Sequence, residues 1–228
     1  SDWSSDVCSS DLARRLRSTG IAAVKTYIRT LESDPDELVR FLDAVSTNHT
    51  FFFREKHHLD VLTPAHRLIW CAAASSGEEP FSMAIHCLEK GFSPAIFATD
   101  ISTRVLALAR QGIYPQERVR NVSAALLGKY FKKGFNRWEG HVKVKDRLRR
   151  MVTFERFNLK SDYPTRTDFD AVFCRNVLIY FDKETREKVV DRLYAALRPG
   201  GAFVIGGAES LNSLKHRFRY IRPSIYQK

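Results

Sequence analysis

Two carboxylates that follow a glycine turn are the first residues in this chain whose types and spacing suggest chemistry. The segment Ile69–Ser82 predicts a buried strand, a tight turn at Gly77 and a helix that begins with Glu78 and Glu79. A strand–glycine–helix junction is where α/β proteins bind nucleotides, often with phosphate at the helix N-terminus. Carboxylates there repel phosphate and compete for the same N–H donors, so we expect a nucleoside cofactor without phosphate and with a positive charge. S-adenosylmethionine, a sulfonium, fits that description.

A further acidic residue, Asp100, stands at the end of the next predicted strand. In doubly wound folds an acidic residue at this place accepts hydrogen bonds from ribose hydroxyls. The alternative is a helix cap, because Asp100 and Ser102 directly precede a predicted helix. The glycine turn upstream at Gly77 favours the ribose interpretation.

A polar pair follows another strongly apolar strand. Phe169–Cys174 predicts a buried strand, and Arg175 and Asn176 come directly after it. Ligands bind at the carboxyl ends of strands in open α/β sheets, and polar groups buried there without partners are costly. We therefore expect both residues to contact a ligand, with a structural ion pair as the alternative for Arg175.

A loop ahead of the first strand contains three consecutive phenylalanines with polar neighbours. Asn48, Thr50 and Arg54 lie in this segment, Ser46–Glu55, around Phe51–Phe53. The aromatic run predicts an anchored loop. Polar residues in such a loop are ordinarily just solvated, so these three indicate a site only in combination with the strand ends.

Composition limits the class of protein and of partner. Lysine and arginine outnumber aspartate and glutamate by 37 to 26, which gives a net charge of +11 and favours an acidic partner: nucleic acid, an anionic membrane or an acidic protein. The polar, serine- and aspartate-rich start leads us to expect no signal peptide, and no apolar run is long enough to span a membrane. The adjacent His57 and His58 point in different directions on a helix, so we expect no metal site. The four cysteines form no C-x-x-C pair and are expected to be free thiols.

The elements that must position these residues are predicted from periodicity. Residues 1–12 repeat Ser-Ser-Asp and are interpreted as a disordered or non-native start. Residues 13–47 predict a short N-terminal helical domain, and from residue 48 onwards strands alternate with helices. This alternation predicts an α/β fold with a doubly wound, mostly parallel sheet. We expect Ile225–Gln227 to be its last edge strand.

Four stretches of sequence together resemble a known family. They are Asn48–His58 (NHTFFFREKHH), Trp70–Ser82 (WCAAASSGEEPFS), Ala98–Thr103 (ATDIST) and Phe173–Lys183 (FCRNVLIYFDK). In order and spacing they are similar to the CheR-type chemotaxis receptor glutamate methyltransferases, over about residues 35 to 228. The resemblance implies the S-adenosylmethionine-dependent methyltransferase fold, with a methyltransferase domain at 48–228 and a small antiparallel β insert near 134–157.

The resemblance also implies an activity and a partner. Such an enzyme transfers the methyl group of S-adenosylmethionine to glutamate side chains on cytoplasmic helices of chemotaxis receptors and leaves S-adenosylhomocysteine as product. It implies an acidic protein substrate, a cytoplasmic location, no nucleic-acid partner and no membrane insertion. The insert around Gly134–Gly140 is where some relatives hold a receptor's tethering peptide, a function that the sequence leaves open here.

The resemblance assigns roles to individual residues. Positions that match cofactor contacts are Asn48, Thr50, Arg54, Glu79, Asp100, Asn158, Leu159, Arg175 and Asn176. Arg54 and Tyr180 match positions proposed to act on the substrate. Basic residues of the N-terminal helices are expected to face the acidic receptor: Arg14, Arg15, Arg17, Lys25 and Arg29.

Two other functions remain compatible with the residues. One is a methyltransferase of the same fold that acts on a small molecule or nucleic acid, although no Asn-Pro-Pro-Tyr motif is present. The other is a non-catalytic domain that senses the cofactor or scaffolds a partner. The N-terminal helical domain is short for the family, which makes receptor docking through it a weaker expectation than cofactor binding.

Overall fold

A computed structural model describes residues 12–21, 23–45 and 50–228 of the chain. Its α-helices are α1 (12–19), α2 (Val24–Ser33), α3 (Pro35–Val45), α4 (Glu78–Glu89), α5 (Thr103–Gln111), α6 (Ala124–Tyr130), α7 (Asp146–Arg149) and α8 (Lys183–Ala196). Its strands are β1 (Leu68–Cys71), β2 (Ala95–Asp100), β3 (Ile113–Pro115), β4 (Phe131–Lys133), β5 (His141–Val144), β6 (Val152–Arg156), β7 (Phe169–Cys174), β8 (Leu197–Ile205), β9 (Arg219–Arg222) and β10 (Ile225–Gln227). Short 3₁₀ helices include Lys56–Val61 and Leu178–Tyr180.

Seven strands form the main sheet in the order β6-β2-β1-β7-β8-β10-β9. The first five are parallel, whereas β10 runs antiparallel to both of its neighbours. From β1 the chain builds outwards through β2 and β6, and then returns to add β7 on the other side. The prediction of a doubly wound, mostly parallel sheet is confirmed, and its topological switch lies between β1 and β7.

Alternating side chains of the central strands fill two cores, one on each face of the sheet. In β1, Ile69 and Cys71 enter one core while Trp70 enters the other. In β7, Phe173 packs with the first set and Val172 with the second. All six residues of β7 are buried, which explains why five of them are apolar; the exception, Asp170, accepts hydrogen bonds from the backbone N–H groups of Arg67 and Leu68.

The C-terminal end of the sheet differs from the sequence-based expectation. Ile225–Gln227 does form a strand, but it lies between β8 and β9 and is therefore not an edge strand. The edge is β9, whose four residues are all exposed and include Arg219 and Arg222. Because two of its four residues are arginines, β9 has no alternation of apolar and polar residues that would predict a strand. Charged side chains of this kind are common on edge strands.

The small antiparallel sheet draws its strands from a wider stretch of sequence than expected. Its order is β3-β5-β4, so it begins at Ile113 and ends at Val144 rather than spanning 134–157. Val152–Arg156, which the sequence grouped with this insert, pairs in parallel with β2 and extends the main sheet. Ile113–Pro115 and Phe131–Lys133 have three residues each, too few for a periodic pattern.

The N-terminal helices are joined by a buried carboxylate. Glu37 accepts hydrogen bonds from Arg15 Nη2 at 2.6 Å, from Tyr27 Oη at 2.7 Å and from Arg40 Nε at 3.0 Å. Tyr27 is the fully buried residue of α2, whereas the apolar Val24 is 44% exposed. The buried side of α2 is therefore set by this polar network as well as by apolar residues.

Helix α3 contacts the main sheet's helical layer through α5. Asp43 accepts a hydrogen bond from Thr103 Oγ1 at 3.0 Å, and its backbone carbonyl accepts one from Arg104 Nη2 at 3.2 Å. None of the helices within the described ranges is long and apolar enough to cross a bilayer.

Candidate functional site

A cavity of about 430 Å³ lies at the carboxyl ends of β1, β2 and β7. This is the edge of the sheet, beside the topological switch, where ligands bind in doubly wound folds. Its volume falls in the range of about 300 to 1,000 Å³ that is typical of small-molecule sites. The residues that line it are Leu42, Thr50, Arg54, Ala72, Ala73, Ser75, Glu79, Asp100, Ile101, Phe157, Asn158, Leu159, Arg175, Asn176, Val177, Tyr180 and Phe181.

A buried ion-pair network crosses the floor of this cavity. Arg175, whose side chain is 1% exposed, donates from Nη1 to Glu79 Oε2 at 2.9 Å and from Nη2 to Glu55 Oε2 at 3.0 Å. Nη2 also donates to the backbone carbonyl of Arg54 at 2.7 Å. Nε of Arg175 is buried and has no hydrogen-bond partner among the residues that the structure describes. Arg175 therefore forms the structural ion pair that the sequence left open as an alternative to ligand contact, and it also lines the cavity.

The charges in this network act on each other. Burial raises the pKa of Glu79, and the positive charge of Arg175 opposes that rise. Burial alone would also raise the pKa of Glu55, but the hydrogen bond and charge of Arg175 outweigh it and lower the pKa. Burial lowers the pKa of His58 to about 4, so this imidazole, 3.2 Å from Glu55 Oε2, is neutral at pH 7.

Asp100 reaches the cavity from the end of β2. Its Oδ2 accepts a hydrogen bond from the Ser75 backbone N–H at 2.8 Å, and its Oδ1 accepts one from the Ser102 N–H at 3.0 Å. Burial raises the pKa of Asp100, and these backbone donors oppose the rise. Helix α5 is capped by Ser102, whose hydroxyl accepts from the Val105 N–H, so Asp100 is not the cap and faces the cavity.

The two carboxylates at the start of α4 have separate environments. Glu79 lines the cavity, whereas Glu78 is fully buried and accepts hydrogen bonds from Ser76 Oγ at 2.7 Å and Arg118 Nη1 at 2.8 Å. Gly77 precedes them with φ of 96° and lies so close to α5 that a Cβ would come within 2.9 Å of the Ala109 Cβ. Glycine is the residue that tolerates both the positive φ and the lack of space for a Cβ, which explains why the sequence has Gly77 at this turn.

The aromatic loop ahead of β1 carries Arg54 to the cavity. Phe52 is its fully buried anchor and packs edge-on against Tyr114 and Phe131, with ring centroids at 5.1 and 5.3 Å. The next residue, Phe53, donates its N–H to Ser82 Oγ at 2.9 Å, which ties the loop to α4. Arg54 follows directly; its side chain is 27% exposed and its Nε lies 4.0 Å from Glu55 Oε1.

Several residues at this site have backbone conformations that are unfavourable for side-chain-bearing residues. Phe53, Glu55, Ser75 and Asn176 have positive φ values, between 47° and 59°. Such conformations persist where the surrounding structure imposes them and tend to cluster at functional sites. Here they occur in three separate segments that meet at one cavity.

The remaining predicted residues come from two loops. Asn158 and Leu159 follow β6; the Asn158 Oδ1 accepts from the Lys160 N–H at 3.0 Å, and Leu159 is buried. Asn176 and Tyr180 follow β7, where the Tyr180 side chain is part of the cavity wall although the residue is 55% exposed. Tyr180 therefore lies at the opening, between the cavity and solvent.

Nine of the predicted site residues line this one cavity, although they come from five separate segments of the chain. The tenth, Asn48, lies outside the described residues. Sequence reasoning missed Glu55, Arg118 and Glu209, which hold the lining residues in place. Glu55 and Glu209 both contact the turn after β8. Ligands bind at the carboxyl ends of parallel strands, and extending this expectation to β8 would have drawn attention to Gly206–Glu209.

The chemistry of the lining residues fits S-adenosylmethionine better than a nucleotide. Two carboxylates, Glu79 and Asp100, offer acceptors for an ammonium group and ribose hydroxyls, and the first turn of α4 carries two carboxylates, which repel phosphate. Within the described residues, no group of three or more histidine, cysteine or acidic side chains could hold a metal ion. Cys71, Cys87 and Cys174 are free and buried.

One member of the expected basic surface is engaged inside the protein. Arg15 forms two hydrogen bonds to Glu37 from Nη2 and one from Nε, and its side chain is 19% exposed. Arg17, Lys25 and Arg29 are exposed on α1 and α2. The prediction that Arg15 faces a partner is therefore wrong, because this residue is needed to pair with the buried carboxylate.

Comparison with known proteins gives consistent matches over most of the chain. The family model described as "CheR methyltransferase, SAM binding domain" matches residues 48–226. Chemotaxis protein methyltransferase 2 of Pseudomonas aeruginosa is 40% identical, over 95% of this chain and 82% of that protein. The chemotaxis protein methyltransferase of Escherichia coli is 38% identical over 99% and 83%, and that of Borreliella burgdorferi is 35% identical over 96% and 84%.

Proposed function

Since the chain belongs to the CheR methyltransferase family and binds S-adenosylmethionine, we propose that it methylates glutamate side chains of chemotaxis receptors. The observation that carries this proposal is the composition of the cavity wall. Carboxylates suited to the cofactor, Glu79 and Asp100, share the wall with Arg54, a cation suited to a carboxylate substrate, and with Tyr180 at the opening.

The reaction requires placement more than proton transfer. A glutamate carboxylate is already ionised at pH 7, so the nucleophilic oxygen needs no general base. The bound cofactor supplies an activated methyl group on its sulfonium sulfur. The protein must hold the carboxylate oxygen in line with that methyl carbon, and orientation of this kind can account for much of an enzyme's rate enhancement.

Arg54 is suited to hold the incoming carboxylate. Its guanidinium presents a planar fork of donors that matches the two oxygens of a carboxylate, which a lysine ammonium does not. Because the carboxylate loses negative charge as the ester forms, an arginine that bound it too tightly would slow the transfer. Glu55, 4.0 Å from Arg54 Nε, moderates this positive charge.

Tyr180 and the carboxylates complete the proposed arrangement. The Tyr180 hydroxyl, at the opening of the cavity, orients the substrate carboxylate or the methyl donor. Glu79 and Asp100 accept hydrogen bonds from the cofactor's ammonium group and ribose hydroxyls, while Asn158, Leu159 and Asn176 bound the rest of the pocket. Thr50 lines the same cavity, and the proposal also assigns the matching Asn48 to cofactor contact.

The partner in this proposal is the acidic cytoplasmic helix of a receptor, which places the reaction in the cytoplasm. Exposed Arg17, Lys25 and Arg29 on the N-terminal helices provide positive charge on one part of the surface. Such charges mainly raise the rate of encounter with a partner of opposite charge. The domain boundary near residue 48 separates this docking segment from the cofactor-binding segment.

Transfer of labelled methyl groups tests the proposal. The purified protein is incubated with methyl-tritiated S-adenosylmethionine and a receptor cytoplasmic fragment, and in parallel with nucleic acid. We expect label on the receptor fragment that mild base releases as methanol, because methyl esters are base-labile. Base-stable label on nucleic acid, or no transfer to any acceptor while the cofactor still binds, would contradict the proposal and favour the two other functions.

A further inference from the structure

Glu209 is a carboxylate outside the cavity that contacts the loop after β7, which carries the lining residues Asn176 and Tyr180. It follows β8, is 9% exposed and lies 33 positions beyond Asn176 in the chain. Its Oε2 accepts hydrogen bonds from the N–H groups of Asn176 at 2.8 Å and Gly206 at 2.7 Å. Its Oε1 accepts from Val177 at 3.0 Å, from Leu178 at 2.8 Å and from Ile179 at 3.3 Å.

Five backbone N–H groups thus converge on a single carboxylate. Four of them are consecutive and stand at the start of the 3₁₀ turn Leu178–Tyr180, where no earlier carbonyl is available to accept them. A negative charge at such a position is favourable, and hydrogen bonds to an ionised acceptor are the strong ones. Glu209 therefore determines where the backbone of this loop lies.

Side-chain packing holds part of the same loop, through Leu178 and through Val177 and Phe181, which pack against the second core. Of the three residues in the turn, Leu178 is buried in the second core, whereas Ile179 and Tyr180 are 54% and 55% exposed. Asn176 has φ of 57°, in the left-handed region that asparagine adopts more readily than most other residues that bear side chains. Apolar contacts therefore anchor one side of the loop, and the carboxylate holds the backbone N–H groups of Asn176 to Ile179.

The turn after β8 is shaped to admit this contact. A Cβ on Gly206 would clash with Asn176 Nδ2, and would also stand 2.9 Å from the Asn176 backbone nitrogen and from Glu209 Oε2. Gly206 therefore allows the loop after β7 and the turn after β8 to approach each other closely. The next residue, Gly207, donates its N–H to Glu55 Oε2 at 3.0 Å, which links the same turn to the Arg175 network.

We infer that Glu209 is a positioning residue for methyl transfer, acting through Asn176 on the cofactor and through Tyr180 on the reacting groups. Part of this inference rests on the proposed function, because the role of Tyr180 concerns transfer to the receptor. The role of Asn176 concerns cofactor binding alone. These two consequences can be measured separately.

The principal variant is Glu209→Gln, which keeps the side chain's shape but replaces one acceptor oxygen with an NH₂ donor facing N–H groups. We expect the dissociation constant for S-adenosylhomocysteine, measured by calorimetry, to rise at least about five-fold, as for a lost hydrogen bond. We expect kcat for receptor methylation to fall by about 10- to 100-fold, because small misplacements of reacting groups cost that much. Circular dichroism establishes that the variant is folded at the assay temperature.

The matched control is Asp170→Asn. Asp170 is also a buried carboxylate that accepts backbone hydrogen bonds, from Arg67 and, at 2.7 Å, from Leu68, and it pairs with Arg198 at 2.7 Å. It stands at the opposite end of β7 from the cavity. This variant should lower the thermal midpoint but leave both the dissociation constant and kcat unchanged within error.

A double-mutant cycle separates positioning from general stabilisation. If Glu209 acts through Tyr180, then Tyr180→Phe lowers kcat in the wild-type background and lowers it much less in the Glu209→Gln background. If Glu209→Gln does not fold, Gly206→Ala serves instead, since its methyl group forces the same contact apart while the carboxylate remains. Gly206→Ala should reproduce both the rise in the dissociation constant and the fall in kcat.

The inference is overturned if Glu209→Gln, or Gly206→Ala in its place, lowers only the thermal midpoint while the dissociation constant and kcat match the wild type. Strictly additive effects in the cycle would overturn the part that concerns Tyr180. A failure of the proposed function would appear differently. The wild-type protein would then methylate no receptor, yet the effect of Glu209 on S-adenosylhomocysteine binding would still be measurable.

Discussion

At the scale of single residues, the account depends on what Arg54 does with a carboxylate. We predict that Arg54→Ala and Arg54→Lys both lower kcat/KM for the receptor by about 100-fold, because neither side chain holds a carboxylate with a bidentate fork. S-adenosylhomocysteine binding should remain measurable by calorimetry in both variants, since Glu79 and Asp100 are unchanged. The measurement is initial-rate methyl transfer to a receptor fragment.

The control for these variants is Arg217→Ala. Arg217 is an exposed arginine that pairs with Asp191 at 2.7 Å and takes no part in the cavity. The Arg217→Ala variant should transfer methyl groups at the wild-type rate. Wild-type transfer by Arg54→Lys would show that charge alone suffices and would remove the fork from the mechanism.

Tyr180 provides a second prediction at this scale. Tyr180→Phe removes the hydroxyl but keeps the ring that forms the cavity wall, so we expect kcat to fall about 10-fold, as for one lost orienting hydrogen bond in the transition state. The dissociation constant for S-adenosylhomocysteine should stay close to that of the wild type. An equal rise in that constant with no change in kcat would instead assign Tyr180 to cofactor binding.

At the scale of elements, buried carboxylates fix the relative positions of segments that apolar packing leaves loose. Glu37 does this for the N-terminal helices, as Glu209 does for the loop after β7. Burial alone would raise the pKa of Glu37, but hydrogen bonds from Arg15, Tyr27 and Arg40 outweigh it and lower the pKa to about 2. Its ionised form therefore stabilises the folded state.

The prediction that follows concerns stability against pH. Glu37→Gln should destabilise the N-terminal helices by about 2 kcal/mol at neutral pH, as for a lost hydrogen-bonded charge. Because the folded pKa of about 2 lies below the ordinary value of 4.5, this advantage of the wild type is full above pH 4.5 and is lost as the pH falls towards 2. Hydrogen exchange in α2 and α3 measures it.

Glu32→Gln is the control for that experiment, since it makes the same substitution on an exposed part of α2. Its exchange rates should match those of the wild type at each pH. A difference between Glu37→Gln and the wild type that persists unchanged at pH 2 would contradict the assigned ion pair.

Strands and helices with a clear period were predictable from the sequence, and short charged ones were not. Phe169–Cys174 is buried on both faces and is apolar except for Asp170, so both its existence and its place in the centre of the sheet could be predicted directly. Arg219–Arg222 has no such pattern because it is exposed at the edge. Missing it placed Ile225–Gln227 at the edge, although its residues Ile225 and Tyr226 are buried between two strands.

The polar lining residues at the strand ends could also be predicted, while the residues that support them could not. Asp100 and Arg175 stand at strand ends, where topology alone brings them together. Glu55 and Glu209 act through contacts to backbone N–H groups of distant segments. Which N–H groups a carboxylate reaches depends on the three-dimensional course of the loops, and no local pattern encodes it.

At the scale of the whole molecule, the net charge of +11 affects the rate at which the protein associates with charged partners. We predict that Lys25→Glu combined with Arg29→Glu raises KM for the receptor about 10-fold at low ionic strength and leaves kcat unchanged. The difference should shrink as salt is added, because exposed charges are screened beyond about 10 Å at 0.1 M salt. Initial rates at several salt concentrations measure it.

A charge-matched control distinguishes a local surface from the overall charge. Lys188→Glu combined with Lys215→Glu removes the same amount of positive charge from exposed positions elsewhere on the protein. This variant should have nearly the wild-type KM. If both double variants raise KM equally, net charge rather than the basic surface of α2 attracts the receptor.

The chemical identity of the product tests the central claim most directly. A receptor cytoplasmic fragment is incubated with S-adenosylmethionine and the wild-type protein, or with Arg54→Ala, and is then analysed by tandem mass spectrometry. The account predicts methyl groups on glutamate side chains of the fragment with the wild-type protein and almost none with Arg54→Ala. Methylation of any other residue type, or equal methylation by both proteins, would contradict it.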